Sequence, residues 1–292
     1  EQIMDCTNVF YEGQLKLGLS IDDQHEKKQH GFTIRKTDSG GSHLREGSEL
    51  INPDFHAVWI DSSFDRKGRY CSESQREGST SRRNEREAHI SRTLIDELNS
   101  QVREAKKGAE PEEWPMHTML MHLDQNDRLP IAFITFYADQ KRAFNEIANE
   151  GMAWTAMRKR WEHLTVRADT VDRFQGGERP VVLVSMVVSP EVPEKKRAEF
   201  EARASKLIDR PAEMLGKRGF SQGGIPAPRT PFIRSPERIN VAFSRAQNLL
   251  VIIGNRFALH NVSPESGRKQ GVRITRDDGS ETRRAVYRDI QR

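Results

Sequence analysis

Thr170-Val171-Asp172-Arg173-Phe174-Gln175-Gly176-Gly177-Glu178 leads, through Arg179-Pro180, into the longest strand-like run of the chain, Val181-Val182-Leu183-Val184-Ser185-Met186-Val187-Val188. The run is continuous rather than alternating. A strand with one wet face alternates apolar and polar residues; a strand covered on both faces does not. Three more runs share the pattern: Ala57-Val58-Trp59-Ile60, Ile131-Ala132-Phe133-Ile134 and Leu249-Leu250-Val251-Ile252-Ile253. Four doubly buried strands predict a parallel sheet with helices on both sides.

The segments between the runs read as helices. Ile90, Leu94, Leu98 and Val102 recur every four residues and make one apolar helix face. Asn84 followed by Glu87 is a start signal for that helix. A second helix is expected over Ala138 to Ala148, and a third from about Pro236 to Gln247, with proline in its first turn. Strand alternating with helix predicts a doubly wound α/β domain. Two stretches stand outside this layering. Residues 62–83 are rich in Ser, Arg and Gly and read as a surface loop. Residues 190–235 open with a charged helix, Glu194 to Leu207, and end Gly/Pro-rich, an insertion between core strands. Near the end, Asp278-Gly279 is a turn signal inside Val272 to Tyr287, which predicts a hairpin.

A second informative segment, Arg238-Ile239-Asn240-Val241-Ala242-Phe243-Ser244-Arg245-Ala246, lies on the third helix and feeds the last core strand. Ile239, Ala242, Phe243 and Ala246 share one face, suited to packing on the sheet. Arg238 and Arg245 stand seven apart and project from a similar side, with Asn240 close by. Taken alone, the arginines read as a solvated helix face, and the Thr170–Glu178 segment as a glycine turn entering a strand.

Together and in this order, the two segments resemble motifs V and VI of superfamily 1 helicases. The likeness is to the branch of the nonsense-mediated-decay helicase and its relatives, whose last motif is followed by a buried strand ending in Gly-Asn. Here that strand ends in Gly254-Asn255. Ile134-Thr135-Phe136-Tyr137-Ala138-Asp139-Gln140 resembles motif IV of that family. Gly78-Ser79-Thr80-Ser81 with Asn84-Glu85-Arg86-Glu87-Ala88 resembles the helix start of its second motor domain, and Asn8-Val9-Phe10-Tyr11-Glu12-Gly13 the stretch after motif III. The resemblance spans roughly residues 8–260.

It implies a RecA-like second motor domain of P-loop NTPase type, without its own phosphate-binding loop. The pattern G-x-x-x-x-G-K-[ST] does not occur here. By resemblance, ATP and Mg²⁺ are held mainly by a first RecA-like domain of the same protein, which is the expected partner. Arg245 is implied as the arginine finger on the transferring phosphate, with Gln175 beside it in the catalytic cleft. Glu178 is implied at the nucleotide ribose, and Gly176 where the backbone approaches the nucleotide closely. Thr135, Tyr137, Thr170 and Asn240 are implied at single-stranded DNA or RNA, held through its backbone and without sequence readout. The departures are Phe136 for the usual Pro of motif IV, Gly177 where Arg or Lys is common, and Arg179-Pro180 in place of an acidic residue. The family's Q-Y-R-M stretch, with a second catalytic Arg and an adenine-stacking Tyr, falls before the counterpart of Asn8. The expectation is that this segment alone neither hydrolyses ATP nor unwinds.

Composition narrows the classes. The chain has 292 residues, 35% hydrophobic and 31% charged, with net charge +4. No stretch nears the ~20 apolar residues of a spanning helix. The first residues, Glu1 to Cys6, lack the basic start and apolar run of a signal peptide; the missing initial Met suggests a trimmed or processed piece. Cys6 and Cys71 give neither a disulfide framework nor a zinc site, which fits a reducing, cytoplasmic setting. Residues 262–292 carry eight Lys and Arg against five acids, a basic tail beyond a domain of residues 1–261. The competing reading is a non-catalytic module that binds nucleic acid or protein, with 190–235 or the tail as the contact. A standalone enzyme is disfavoured: no metal ligand set, glycine-rich loop or nucleophile–base pair stands out, and Asp61 lacks the partner of a nuclease carboxylate.

Overall fold

The structure, a computed structural model, describes residues 2–8, 15, 20, 29–35, 49–65, 67–107, 117–149, 160–174, 176–205, 232–259, 265–266, 269–270, 272–275 and 281–284. In chain order the elements are α1 (Gln2–Asn8), β1 (Ile34–Arg35), β2 (Glu49–Ile51), β3 (Ala57–Asp61), β4 (Ser74–Gln75), β5 (Arg82–Arg83), α2 (Glu85–Lys107), α3 (His117–Leu120), β6 (Leu129–Thr135), α4 (Ala138–Ala148), β7 (Leu164–Thr170), β8 (Arg179–Ser185), α5 (Glu194–Ser205), α6 (Pro236–Phe243), β9 (Ala246–Gly254) and α7 (Arg256–Leu259). Four short tail strands follow, β10 (Glu265–Ser266), β11 (Lys269–Gln270), β12 (Val272–Thr275) and β13 (Glu281–Arg284).

The four continuous apolar runs are β3, β6, β8 and β9. With β7 they form a five-stranded parallel sheet in the order β3-β9-β8-β6-β7. The α/β expectation holds. Side chains alternate along each strand, so Ile131, Phe133, Val181, Leu183, Leu249 and Val251 point to one face. Ala132, Ile134, Val182, Val184, Leu250 and Ile252 point to the other. α2 and α4 cover the first face, where Phe133 stacks on Phe144 at 4.1 Å. α6, α1 and Leu259 of α7 cover the second. Each fully buried side chain of this size stabilises the fold by about 1.5–3 kcal/mol.

β7 carries no continuous apolar run. It is an edge strand whose Leu164, Val166 and Ala168 join the first core, while Thr165 and Arg167 stay exposed. The run Val181–Val188 is a strand only to Ser185. Beyond it Met186, Val187 and Val188 remain buried, and Val187 takes a positive φ of 69°. The third helix stops at Phe243, earlier than expected, because β9 begins at Ala246.

Glu87 explains how Val187 is held. Asn84 caps α2 by accepting the Glu87 amide at 3.2 Å, and the Glu87 carboxylate accepts from the Asn84 side-chain Nδ2 at 3.4 Å rather than from its backbone amide. The Asn84 amide goes instead to Gln140 Oε1 at 2.7 Å. Glu87 is fully buried and accepts from the Ser185 hydroxyl at 2.6 Å, the Val187 amide at 2.8 Å and the Ser62 hydroxyl at 3.1 Å. Burial pushes its carboxyl up to about 7 against these donors.

The 62–83 segment corrects the surface-loop reading. Its described residues include fully buried Phe64 and buried Tyr70, which the Ser/Arg/Gly-rich composition hid. Both rings pack with Phe200 of α5, at 6.0 Å and 5.2 Å, and the Tyr70 amide donates to Glu201 Oε1 at 2.8 Å. The start of the 190–235 insertion is thus docked on the body, while residues 206–231 lie outside the described residues. In the tail β12 pairs with β13 antiparallel, Thr275 opposite Glu281, around the turn signal.

Near the N-terminus, His30 is buried beside His56, with ring centroids 5.3 Å apart. The Phe32 amide donates to His30 Nδ1 at 3.1 Å, so Nε2 carries the proton toward the Phe55 carbonyl at 3.2 Å. Burial, with the neighbouring His56 adding to it, lowers the His30 pKa to about 4.

Candidate functional site

A parallel sheet has two chemically different ends, and the implied site residues divide between them. At the C-terminal end, Thr135 of β6 is in register with Thr170 of β7 and Ser185 of β8. These three hydroxyl residues form one row. Thr135 is fully buried and its Oγ1 makes no hydrogen bond; Thr170 is half-buried. The Thr170 amide donates to Asp169 Oδ1 at 3.0 Å, and Lys141 Nζ donates to the same oxygen at 2.9 Å. Burial acts to raise the Asp169 carboxyl, but Lys141, the Thr170 amide and Arg167 outweigh it and hold it below the usual carboxylate range. Tyr137 occupies the N-cap position of α4, its buried ring edge-on to Phe232 at 5.6 Å.

Arg245, Glu178 and Gly176 gather at the opposite end. Arg179 and Ala246 pair where β8 and β9 begin, and the Arg179 amide donates to the Arg245 carbonyl at 2.9 Å. Gln247 Nε2 donates to Glu178 Oε2 at 3.2 Å across the same pair of strands. The half-buried Arg245 guanidinium rests on its own helix end, with Nε toward the Val241 carbonyl at 3.2 Å and Nη2 toward Ser244 Oγ at 2.9 Å. Gly176 has φ of 81°, and nothing lies within 4 Å of where a Cβ would stand. That is backbone open to close approach. Gln175 lies outside the described residues.

Seven-residue strands at ~3.3 Å per residue separate the two ends by ~20 Å. One segment, 170–178, bridges them, crossing from β7 past β6 to the start of β8. It begins with a 3-10 turn, Val171–Arg173. Phe174 is fully buried and lies beneath two guanidiniums, Arg167 at 4.6 Å and Arg179 at 5.9 Å from the ring centroid. Asn240 belongs to neither end. It sits half-buried in the middle of α6.

Several contributors escaped the sequence reading. Arg167, Asp169 and Lys141 stand outside the two motifs: Arg167 and Asp169 precede Thr170 on β7, and the packing of α4 on β7 brings Lys141 to Asp169. Gln247 was legible as the strand neighbour of Glu178 only once β8 and β9 were known to pair. Among the described residues, no group of three or more His, Cys, Asp or Glu side chains is spaced to hold a metal ion. No helix among them is long and apolar enough to cross a membrane.

Comparison with known proteins agrees with this architecture. A family model described as an AAA domain matches residues 1–257. No curated protein matches the chain. With its five-stranded parallel sheet flanked by helices, and with that match over most of its length, the chain belongs to the AAA-domain family of helicase-like P-loop NTPases.

Proposed function

We propose that this chain is the second motor domain of an ATP-driven helicase or translocase of single-stranded nucleic acid. The observation that carries the proposal is the Arg179–Arg245 junction, which sets Gly176, Glu178 and Arg245 together on one end of the sheet. These residues suit a nucleotide polyphosphate. Gly176 leaves its own backbone open to an approaching nucleotide, Glu178 is an exposed carboxylate suited to ribose hydroxyls, and Arg245 is a guanidinium at the same edge.

In this reading ATP would be held with Mg²⁺ mainly by the first RecA-like domain, where the metal would neutralise phosphate charge. Arg245 leaves Val241 and Ser244 and turns its fork toward the phosphate oxygens, where charge spreads in the transition state. Such fingers contribute about a thousand-fold or more in rate. Glu178, steadied by Gln247, orients the nucleotide through its sugar. Half-buried Thr170 offers a short hydroxyl to the phosphates of a single strand, ~20 Å away at the other end of the sheet, with the buried Thr135 hydroxyl behind it in the same row.

The test is ATP turnover by the longest natural protein containing this segment, with and without single-stranded nucleic acid. Strand-stimulated turnover supports the motor reading. Tight strand binding with no turnover under either condition refutes it in favour of a binding module.

A further inference from the structure

Arg238 shares the motif with Arg245, but the two guanidiniums do different things. Arg238 Nε donates to Asp172 Oδ1 at 2.9 Å, and Nη2 reaches Oδ2 at 3.4 Å. Its Cζ lies 4.5 Å from the centroid of Phe232, whose ring meets Tyr137 edge-on. The Arg238 amide is itself taken by the N-cap, Ser235 Oγ, at 3.3 Å. Every one of these contacts faces the C-terminal end of the sheet. Asp172 stands two residues after Thr170, and Tyr137 two residues after Thr135.

α6 starts at this node and ends beside Arg245. Ile239, Ala242 and Phe243 are fully buried on the sheet, so the helix has one seat. Its eight residues span ~12 Å, most of the distance between the two ends of the sheet. The Asp172–Arg238 pair thus links the Val171–Arg173 turn to the helix that ends two residues before Arg245.

We infer that Arg238 is a positioning residue: its fork on Asp172, steadied by Phe232, ties the seating of a nucleic-acid strand at Thr170 to the placement of Arg245. The inference rests on the motor reading. Two alternatives make different predictions. If Arg238 touched strand or nucleotide directly, losing Asp172 would matter little. If the ion pair merely held the fold together, its loss would lower stability first. The second is disfavoured because the side chains are 36% and 55% exposed, and ion pairs so exposed contribute little to folding.

The experiment uses the full-length protein, with Asp172→Asn, Arg238→Gln and the double variant. Turnover is measured with and without an oligothymidylate or oligouridylate strand, alongside KM for ATP and the thermal midpoint. The expected result has four parts. Unstimulated turnover and KM stay within about twofold, and the midpoint stays within about 2 °C. Strand-stimulated kcat falls about tenfold in each single variant. The double variant is no worse than either, because one interaction is lost in all three. Arg238→Lys, which keeps the charge without the fork, recovers only part of the stimulation. Full stimulation in Asp172→Asn, losses that multiply in the double variant, or a fall in stability matching the fall in rate would each overturn the inference. Wild-type protein that strands do not stimulate would overturn the motor reading and this inference together.

Discussion

The Arg179 amide and the Arg245 carbonyl meet at 2.9 Å, just where β8 and β9 begin to pair. This one backbone bond joins the two motif-bearing segments, although 66 positions separate its residues. It sets Glu178 one residue before the junction and lets Gln247, one residue after Ala246, hold the Glu178 carboxylate at 3.2 Å. The geometry of this end of the sheet is therefore fixed by strand pairing rather than by loops.

Gly176 tests how tightly that geometry is needed. Its φ of 81° is strained for any L side chain, yet open space surrounds the Cβ position. Gly176→Ala is expected to cost about 1–2 kcal/mol through backbone strain alone. If the backbone here approaches nucleotide, KM for ATP in the full-length protein rises several-fold beyond that small loss. Parallel denaturation and steady-state kinetics separate the two. An unchanged KM would remove Gly176 from the nucleotide edge.

Gly254 makes the opposite case, in which space and not torsion decides. A Cβ there stands 3.0 Å from Met186 Cβ and Cγ and 3.1 Å from Leu259 Cδ1. Neither neighbour is free to yield, since Met186 and Leu259 are fully buried in the second core. Gly254→Ala is expected to destabilise by about 1–3 kcal/mol, the usual cost of overpacking. Urea denaturation of this chain checks it, and a wild-type midpoint would show that β9 and α7 have slack.

Two buried groups make opposed contributions to the pH dependence of stability. His30 titrates near 4 when folded, below its ordinary 6.5. Between those values the unfolded chain binds the extra proton, so stability falls as pH drops from 6.5 to 4. Glu87 titrates near 7 when folded, above its ordinary 4.5. There the folded chain holds the extra proton, so stability falls as pH rises from 4.5 to 7. Each effect is worth about 3 kcal/mol at most, and they oppose one another between pH 4.5 and 6.5. Glu87→Gln is therefore expected to make stability climb with pH across that window by about 2–3 kcal/mol more than wild type. Urea midpoints at pH 4.5 and 6.5 measure the difference. Parallel profiles for the two proteins would mean that Glu87 is ionised throughout.

The parts of the fold that were legible in the sequence were those a local pattern dictates. Val181–Ser185 and Leu249–Ile253 are buried on both faces and read as such. Ile90, Leu94, Leu98 and Val102 face the core as their spacing requires. β7 was not legible, because Leu164-Thr165-Val166-Arg167 belongs to an edge strand with one open face and is too short and too charged to stand out. Phe64 and Tyr70 were masked by the polar residues around them, and only the aromatic cluster with Phe200 and Phe257 explains their burial. Asn84 and Glu87 do bond each other through the Asn84 side chain, but the Asn84 backbone amide goes to Gln140 and the carboxylate also takes Ser185 and Val187, tertiary contacts that no local pattern encodes. Of the candidate site, the motif residues could be named. Which of them share an end of the sheet followed only from register.

The central claim is that Arg245 serves a phosphoryl transition state, and substitution of this residue in the full-length protein tests it most directly. Strand-stimulated ATP turnover is measured for wild type, Arg245→Ala and Arg245→Lys, with nucleotide affinity determined separately. The account predicts a loss of kcat of about a hundred-fold or more in both variants, with nucleotide affinity changed far less. Turnover retained in Arg245→Ala, or a loss confined to affinity, would contradict it.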